Sequence, residues 1–131
     1  AEVKQEGTDV TVVSFGKILK EVFKASEKLS EQNVSVEIID LRTVRPLDIE
    51  TIIKSVKKTN RLVILEEAWP FGNVSTEITY QVQNRALDYL DAPIIKINTA
   101  DTPTPYSPVL LKEWLPNFND VINAVNKVLY K

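Results

Sequence analysis

The chain alternates between short segments rich in β-branched residues and longer segments whose apolar residues recur at helical spacing. A short segment, residues 9–15, is followed by Gly16 and then by a long segment, residues 17–32. The same order repeats, with further strands predicted at residues 34–39, 61–65 and 94–97 and further helices at residues 49–58, 73–89 and 119–129. This alternation predicts a single α/β domain over residues 1–131, built on a mainly parallel sheet.

Composition narrows the chemistry that such a domain can carry. The 131 residues are 44% hydrophobic and 26% charged, which is typical of an ordinary globular domain. There is no Cys and no His, so thiol nucleophiles, disulfides, zinc sites and Ser-His-Asp triads are excluded. The formal net charge is -2, without basic blocks or long apolar runs. We therefore expect a soluble domain whose partners are neither nucleic acid nor membrane.

Two arginines lie in the loop after the second predicted strand. Arg42 and Arg45 could hold a carboxylate or phosphate through paired donors. Alternatively, they pair with Asp40, with Asp48 or with a neighbouring subunit. The second interpretation is favoured because no glycine-rich phosphate-binding loop accompanies the arginines.

The loop after the third predicted strand combines acidic and aromatic residues. Glu66 and Glu67 are adjacent, and consecutive side chains of a strand point to opposite faces, so we expect a structural role rather than an acid and base pair. Trp69 and Phe71 follow, and exposed aromatic loops are common anchors of subunit interfaces. Folding of the two rings over the core is the equally weighted alternative.

The segments around the fourth predicted strand carry two further features. Asp88 and Asp91 follow the third predicted helix, where carboxylates oppose the helix dipole, which suggests pairing with a basic partner. A solvated helix end is the default alternative. Beyond the strand, prolines 103, 105 and 108 predict a rigid extended connection, which we favour over a polyproline ligand for another protein.

Five segments taken together resemble a known family. They are residues 36–48, 57–63, 66–70, 89–93 and 100–106. In this order they resemble the C-terminal domain of the beta subunit of the decarboxylating first component of pyruvate dehydrogenase, within the transketolase superfamily. The resemblance implies a three-layer α/β/α sandwich with a five-stranded mixed sheet that has one antiparallel strand. Since four strands are evident, the fifth is expected near residues 1–4 or within residues 101–115.

The resemblance also implies an activity that belongs to a larger enzyme. Such enzymes use thiamine diphosphate to decarboxylate pyruvate oxidatively and to acetylate a lipoyl group. The cofactor and its magnesium ion are implied to lie outside this domain, in the N-terminal part of the beta subunit and in the alpha subunit. No catalytic, cofactor-binding or metal-binding residue is then expected here, and the isolated domain is expected to be inactive. The expected compartment is the bacterial cytoplasm, or alternatively a mitochondrial matrix or a plastid.

Two kinds of partner contact follow from the resemblance. The first is assembly of an α2β2 tetramer with the alpha subunit and a second beta subunit, with Trp69 and Phe71 as apolar anchors and Arg42 and Arg45 as polar organisers.

The second contact is docking of the peripheral subunit-binding domain of dihydrolipoyl acetyltransferase. Asp91 and the terminal carboxylate of Lys131 are the residues expected to receive its basic side chains.

Two alternatives to this identity of the domain stay open. One is the same domain of a branched-chain 2-oxo acid or acetoin dehydrogenase. The other is a stand-alone module that binds a small anion through the loop of Arg42 and Arg45.

Overall fold

The structure is a computed structural model that describes residues 1–131. Its strands are β1 (Glu2–Gln5), β2 (Val10–Ser14), β3 (Val36–Asp40), β4 (Leu62–Leu65) and β5 (Ile95–Ile97). Its helices are α1 (Leu19–Ser30), α2 (Ile49–Thr59), α3 (Val74–Ala86), α4 (Pro108–Trp114) and α5 (Phe118–Val128). The strands form one sheet in the order β1-β3-β2-β4-β5, in which β1 is antiparallel to β3 and the other neighbours are parallel. None of the helices is both long and apolar enough to span a bilayer.

Two separate cores cover the two faces of the sheet. Val12 of β2 packs into the core formed with α1 and α5, while its neighbour Val13 packs into the core formed with α2 and α3. Because successive side chains of a strand point to opposite faces, a central strand with helices on both sides must be apolar at almost every position. The predicted three-layer α/β/α sandwich with a five-stranded mixed sheet is therefore confirmed.

The helix boundaries follow local capping chemistry. Asp48 caps α2, because its carboxylate accepts hydrogen bonds from the backbone N–H of Thr51 at 3.2 Å and from the Thr51 hydroxyl at 2.6 Å. The same helix ends at Asn60, which adopts the left-handed conformation with φ of 65°. At the start of α5, Asn117 and Asp120 form a reciprocal capping box.

Two elements differ from the prediction. The fifth strand, β1, lies at the first of the two places considered, and its four residues are all exposed on the edge of the sheet. The second place contains a helix instead of a strand, because Pro108 occupies the first turn of α4, where its missing N–H costs nothing. The predicted third helix ends at Ala86 and continues only as a 3₁₀ turn, Leu87–Tyr89.

The strands β2 to β5 all run in the same direction, so the sheet has one border where they end and another where they begin. We call the border at their carboxyl ends the carboxyl edge and the border at their amino ends the amino edge. The arginine loop after β3 and the aromatic loop after β4 therefore lie at the carboxyl edge. Asp91, which precedes β5, lies at the amino edge.

Candidate partner-binding sites

Asp91 is fixed to the amino edge by its backbone. Its N–H donates to the carbonyl of Asn60 at 2.9 Å, just after the end of α2. The amide of Asn60 in turn donates to the carbonyl of Tyr89 at 2.7 Å, and this closes the turn that leads to Asp91. The Asp91 side chain stays 57% exposed, so the carboxylate faces solvent from a fixed backbone position.

Arg61 is a residue near Asp91 that the sequence reading missed. Its Nη2 lies 3.8 Å from Asp91 Oδ2, and its Nε donates to the carbonyl of Val128, near the end of α5, at 3.1 Å. Its Nη1 donates to the carbonyl of Asp9 before β2 at 3.4 Å. The guanidinium therefore joins three segments that are far apart in sequence, and only the fold reveals this.

The C-terminal residues close over the same place. α5 ends in a Schellman motif, in which the N–H of Tyr130 donates to the carbonyl of Lys127 at 3.1 Å and that of Lys131 to Asn126 at 2.8 Å. Tyr130 occupies the left-handed position with φ of 59°, and its hydroxyl donates to the carbonyl of Asp91 at 3.1 Å. The structure thus places Asp91 and the exposed Lys131 on the same part of the surface.

The two arginines after β3 have different surroundings. Arg42 forms ion pairs with Asp40 at 3.6 Å and with Glu2 of β1 at 3.5 Å, which is the internal pairing considered above, extended to a second carboxylate. Arg45 has no ion pair and is exposed on a shallow cleft between its loop and α3. Of the two, Arg45 is the guanidinium that remains open to a partner.

The aromatic loop after β4 projects from the carboxyl edge. Phe71 is 89% exposed, so the alternative in which it folds over the core is wrong. Trp69 is half exposed, and its indole N–H donates to the carbonyl of Thr102 at 2.8 Å. The indole N–H of Trp114 in α4 donates to the same carbonyl at 3.0 Å, so Thr102 ties the aromatic loop to α4.

Further exposed apolar side chains flank this connection. Tyr106 is fully exposed, and Val109 and Leu110 of α4 are largely exposed. The sequence reading missed them because α4 has no buried residue and thus no apolar stripe facing the core. Together with Trp69 and Phe71 they define the aromatic surface at the carboxyl edge.

The side chains of Glu66 and Glu67 lie in different surroundings, as expected for consecutive residues at the end of a strand. Glu66 is buried, and its Oε2 accepts hydrogen bonds from the backbone N–H of Ser75 at 3.1 Å and from the amide of Asn98 at 2.9 Å. Glu67 is exposed. Since the N-cap of α3 makes no side-chain capping bond, Glu66 supplies the acceptor that the first turn of this helix needs.

A second buried carboxylate lies on β3, facing α2. Burial alone would raise the pKa of Glu37, but hydrogen bonds from Lys58, Ser55 and the N–H of Gly7 outweigh it and hold the pKa below its ordinary value of 4.5. The same contact with Glu37, together with a 3.0 Å bond to Glu6, raises the pKa of Lys58. This cluster ties β1, β3 and α2 together.

No three carboxylates of the chain come close enough to hold a metal ion.

The chain matches a known family of domains. A family model described as the C-terminal domain of transketolase matches residues 1–121. The chain belongs to the transketolase C-terminal domain family.

Within this class, the chain is similar to beta subunits of one enzyme. It is 50% identical over 131 residues to the pyruvate dehydrogenase E1 component subunit beta of Rhizobium meliloti (strain 1021), covering 100% of this chain and 28% of that protein. The corresponding subunit of Bacillus subtilis (strain 168) is 40% identical over 129 residues, with 98% and 39% covered. The mitochondrial subunit of Dictyostelium discoideum is 43% identical over 128 residues, with 98% and 36% covered. The chain thus spans well under half the length of these relatives.

Solved structures agree on the fold. A split gene transketolase, described as an inactive beta4 tetramer, superimposes with a TM-score of 0.85 at 24% identity, over 98% of this chain and 41% of the other. A 2-oxoglutarate:ferredoxin oxidoreductase from Magnetococcus marinus gives a TM-score of 0.55 at 13% identity, over 95% and 19%. At these identities the likeness shows a shared fold.

Proposed function

We propose that the chain is the C-terminal domain of a pyruvate dehydrogenase beta subunit. The observation that carries the proposal is the 50% identity to such a subunit over the full length of the chain. The enzyme decarboxylates pyruvate oxidatively with thiamine diphosphate and acetylates a lipoyl group of the dihydrolipoyl acetyltransferase core. The relatives described above favour pyruvate over a branched-chain 2-oxo acid or acetoin as the substrate.

In this proposal the domain contributes assembly and docking and no chemistry. Thiamine diphosphate and magnesium are held by other parts of the enzyme, and the isolated domain is inactive. The enzyme works in the cytoplasm of a bacterium, or in the mitochondrial matrix or plastid of a eukaryote.

The amino edge is the proposed docking surface for the peripheral subunit-binding domain of the acetyltransferase. Asp91 receives its basic side chains, and Lys131 lies in the same contact surface. The exposure of the Asp91 carboxylate and the rigid attachment of its backbone support this role, because a fixed charge loses little freedom on binding. The contact between Arg61 and Asp91 is long for an ion pair, so the carboxylate retains the capacity to bind a partner.

Calorimetric titration with the peripheral subunit-binding domain tests the docking surface. Both the purified chain and the complete assembled enzyme are titrated, at low and high salt. We expect salt-sensitive binding that Asp91→Ala weakens by at least about tenfold, because close interfacial charge pairs couple by about 1.5 to 7 kcal/mol. Asp101→Ala is the matched control, since Asp101 is exposed after β5, at the opposite edge of the sheet. Unchanged binding by the Asp91 variant, or no binding to either preparation, contradicts the docking role.

The carboxyl edge is the proposed assembly surface. Trp69 and Phe71 act as apolar anchors against the second beta subunit, with Arg42 and Arg45 as polar organisers toward the neighbouring subunits. The exposure of Phe71 supports this arrangement, because a large ring that is left in water favours burial against a partner.

Analytical ultracentrifugation of the assembled enzyme tests the assembly surface. Phe71→Ala is expected to raise the dissociation constant of the assembly by at least about tenfold, in line with loss of an interface hot spot of about 2 kcal/mol. Tyr80→Ala is the control, since Tyr80 is an exposed aromatic residue on α3, outside the aromatic surface. Equal effects of the two substitutions contradict the proposal.

A further inference from the structure

The backbone of the aromatic loop after β4 is held by donors from β5 and the residues just after it. The carbonyl of Trp69 accepts a hydrogen bond from the amide of Asn98 at 3.3 Å. The next carbonyl, that of Pro70, accepts one from the ammonium of Lys96 at 2.7 Å. Neither carbonyl can turn away without losing its bond, so the segment around β5 determines the direction in which the loop leaves the sheet.

Asn73 holds the same loop instead of capping the helix that follows it. It lies at the N-cap of α3 with an extended backbone, φ of -109°, which suits a capping side chain, yet it makes no such bond. Its amide donates instead to the carbonyl of Trp69 and, at 3.1 Å, to that of Phe71. Glu66 supplies the acceptor for the first turn of α3. The side chain of Asn73 is therefore used for the loop.

Lys96 is the charged donor of this set. It is half-buried, and its ammonium has no carboxylate within 4.0 Å. Its Nζ donates only to neutral oxygens, the carbonyl of Pro70 and, at 2.8 Å, the hydroxyl of Thr76 in the first turn of α3. A charged donor forms a stronger hydrogen bond than a neutral amide does. Lys96 therefore joins β5, the aromatic loop and α3 at the residue that precedes Phe71.

The orientation of Phe71 depends on this backbone because packing within the chain does not fix its ring. Phe71 is 89% exposed, and Gly72, which follows it, has φ of 65° and adds no side chain that could hold the loop. An anchor that is ordered before binding loses less conformational freedom when the partner arrives. Residues that hold the loop can thus strengthen an interface without touching the partner.

We propose that Lys96 is a positioning residue of the assembly surface. Together with Asn73 and Asn98 it fixes the aromatic loop, so that Phe71 meets the neighbouring subunit in the orientation that it keeps after binding. The inference rests on the proposed assembly role of the carboxyl edge, and it assigns that role to residues that act through Phe71.

Nuclear magnetic relaxation of the isotopically labelled chain tests the positioning of the loop by itself. The amides of Phe71 and Gly72 should have order parameters near about 0.85, as in rigid backbone, and Lys96→Met should lower them below about 0.6. Lys54→Met is the matched control, since Lys54 is exposed on α2, and it should leave both values unchanged. Unchanged order parameters in Lys96→Met overturn the proposal.

Asn73→Ser separates the positioning of the loop from the stability of α3. Serine and asparagine are about equally favourable at an N-cap, but a hydroxyl has one hydrogen to donate and cannot hold both Trp69 and Phe71. We expect the midpoint of urea unfolding to stay the same while the order parameters of Phe71 and Gly72 fall. A loop that stays ordered in this variant overturns the proposal.

A double-mutant cycle in the beta subunit of the assembled enzyme tests the effect on assembly. Lys96→Met is expected to raise the dissociation constant by about three- to tenfold, because the loop must then be ordered during binding. In the Phe71→Ala background the same substitution should raise it by less than about twofold, since the ring to be positioned is absent. Equal effects of Lys96→Met in the two backgrounds overturn the proposal.

The two measurements distinguish failure of this inference from failure of the assembly surface. An ordered loop in Lys96→Met overturns the positioning role, whatever Phe71→Ala does to assembly. A disordered loop in Lys96→Met supports that role. If neither Lys96→Met nor Phe71→Ala then alters assembly, the proposed assembly surface is what fails.

Discussion

Arg61 Nη2 lies 3.8 Å from Asp91 Oδ2, although the two residues meet only because β4 starts next to the turn that precedes β5. The same guanidinium donates to the carbonyl of Val128, close to the C-terminal residues. Arg61 therefore links the two components of the proposed docking surface, the Asp91 carboxylate and the segment around Lys131.

This position of Arg61 predicts a loss of stability when the guanidinium is removed. Arg61→Gln is expected to lower the free energy of unfolding by about 1 to 2 kcal/mol, because the carbonyls of Val128 and Asp9 lose a charged donor. Urea unfolding measures the change. Arg85→Gln removes an arginine from the exposed pair with Glu50 and should change stability by less than about 0.5 kcal/mol. Similar losses in both variants would contradict the bridging role of Arg61.

The lowered pKa of Glu37 predicts a dependence of stability on acid. A carboxyl group whose pKa is lower in the folded chain stabilises the fold above its unfolded pKa, near 4.5, and this stabilisation is lost as the pH falls through the folded value. Glu37→Gln cannot titrate, so its unfolding free energy should fall less steeply than that of the unmodified chain between about pH 5 and about pH 2.

Urea unfolding at a series of pH values measures this slope. Glu31→Gln is the control, since Glu31 is exposed just after α1, and it should reproduce the slope of the unmodified chain. At neutral pH, Glu37→Gln should also cost about 1 to 3 kcal/mol, because it weakens the hydrogen bonds from Lys58 and Gly7. Parallel slopes for all three proteins would rule out Glu37 as the source.

Adjacent glutamates are expected to differ sharply in their effect on stability. Glu66→Ala should cost about 2 to 4 kcal/mol, because it leaves the buried N–H of Ser75 without its acceptor and removes one of the two acceptors of the Asn98 amide. Glu67→Ala, one residue further on and exposed, should stay within about 0.5 kcal/mol. Chemical denaturation of the two variants compares their free energies of unfolding directly. Equal losses of stability would show that Glu66 does not cap α3.

Glycines are expected to tolerate a methyl group only where the backbone leaves room. A Cβ at Gly7 would overlap the backbone of Val36 and Glu37, so Gly7→Ala should cost about 3 kcal/mol or prevent folding. Gly72 has φ of 65° and open space around it, so Gly72→Ala should cost only about 1 kcal/mol of conformational strain. Thermal unfolding distinguishes the two, and a mild effect at Gly7 would contradict the close approach of Gly7 to the backbone of β3.

Local patterns in the sequence predicted most of the fold. The strands β2 to β5 and the helices α1, α2, α3 and α5 all lie where the apolar spacing predicted them, within a few residues. The patterns failed where burial leaves no periodic trace. The edge strand β1 is exposed along its whole length, and α4 buries no residue.

The candidate sites depended far more on long-range contacts. The sequence singled out Asp91, Lys131 and the aromatic loop, yet it did not show that the docking pair and the aromatic loop lie at opposite edges of the sheet. It also left Arg61 unnoticed, because its partners Asp9, Asp91 and Val128 are tens of residues away in the sequence.

The sequence by itself therefore determined which elements form and in what order, since capping and apolar periodicity act over a few neighbouring residues. Only the tertiary structure decided which charges meet. The parallel pairing of β2 with β3 and β4 brings the loops that follow these strands to one edge, and the pairing of β4 with β5 brings Arg61 next to Asp91 at the other.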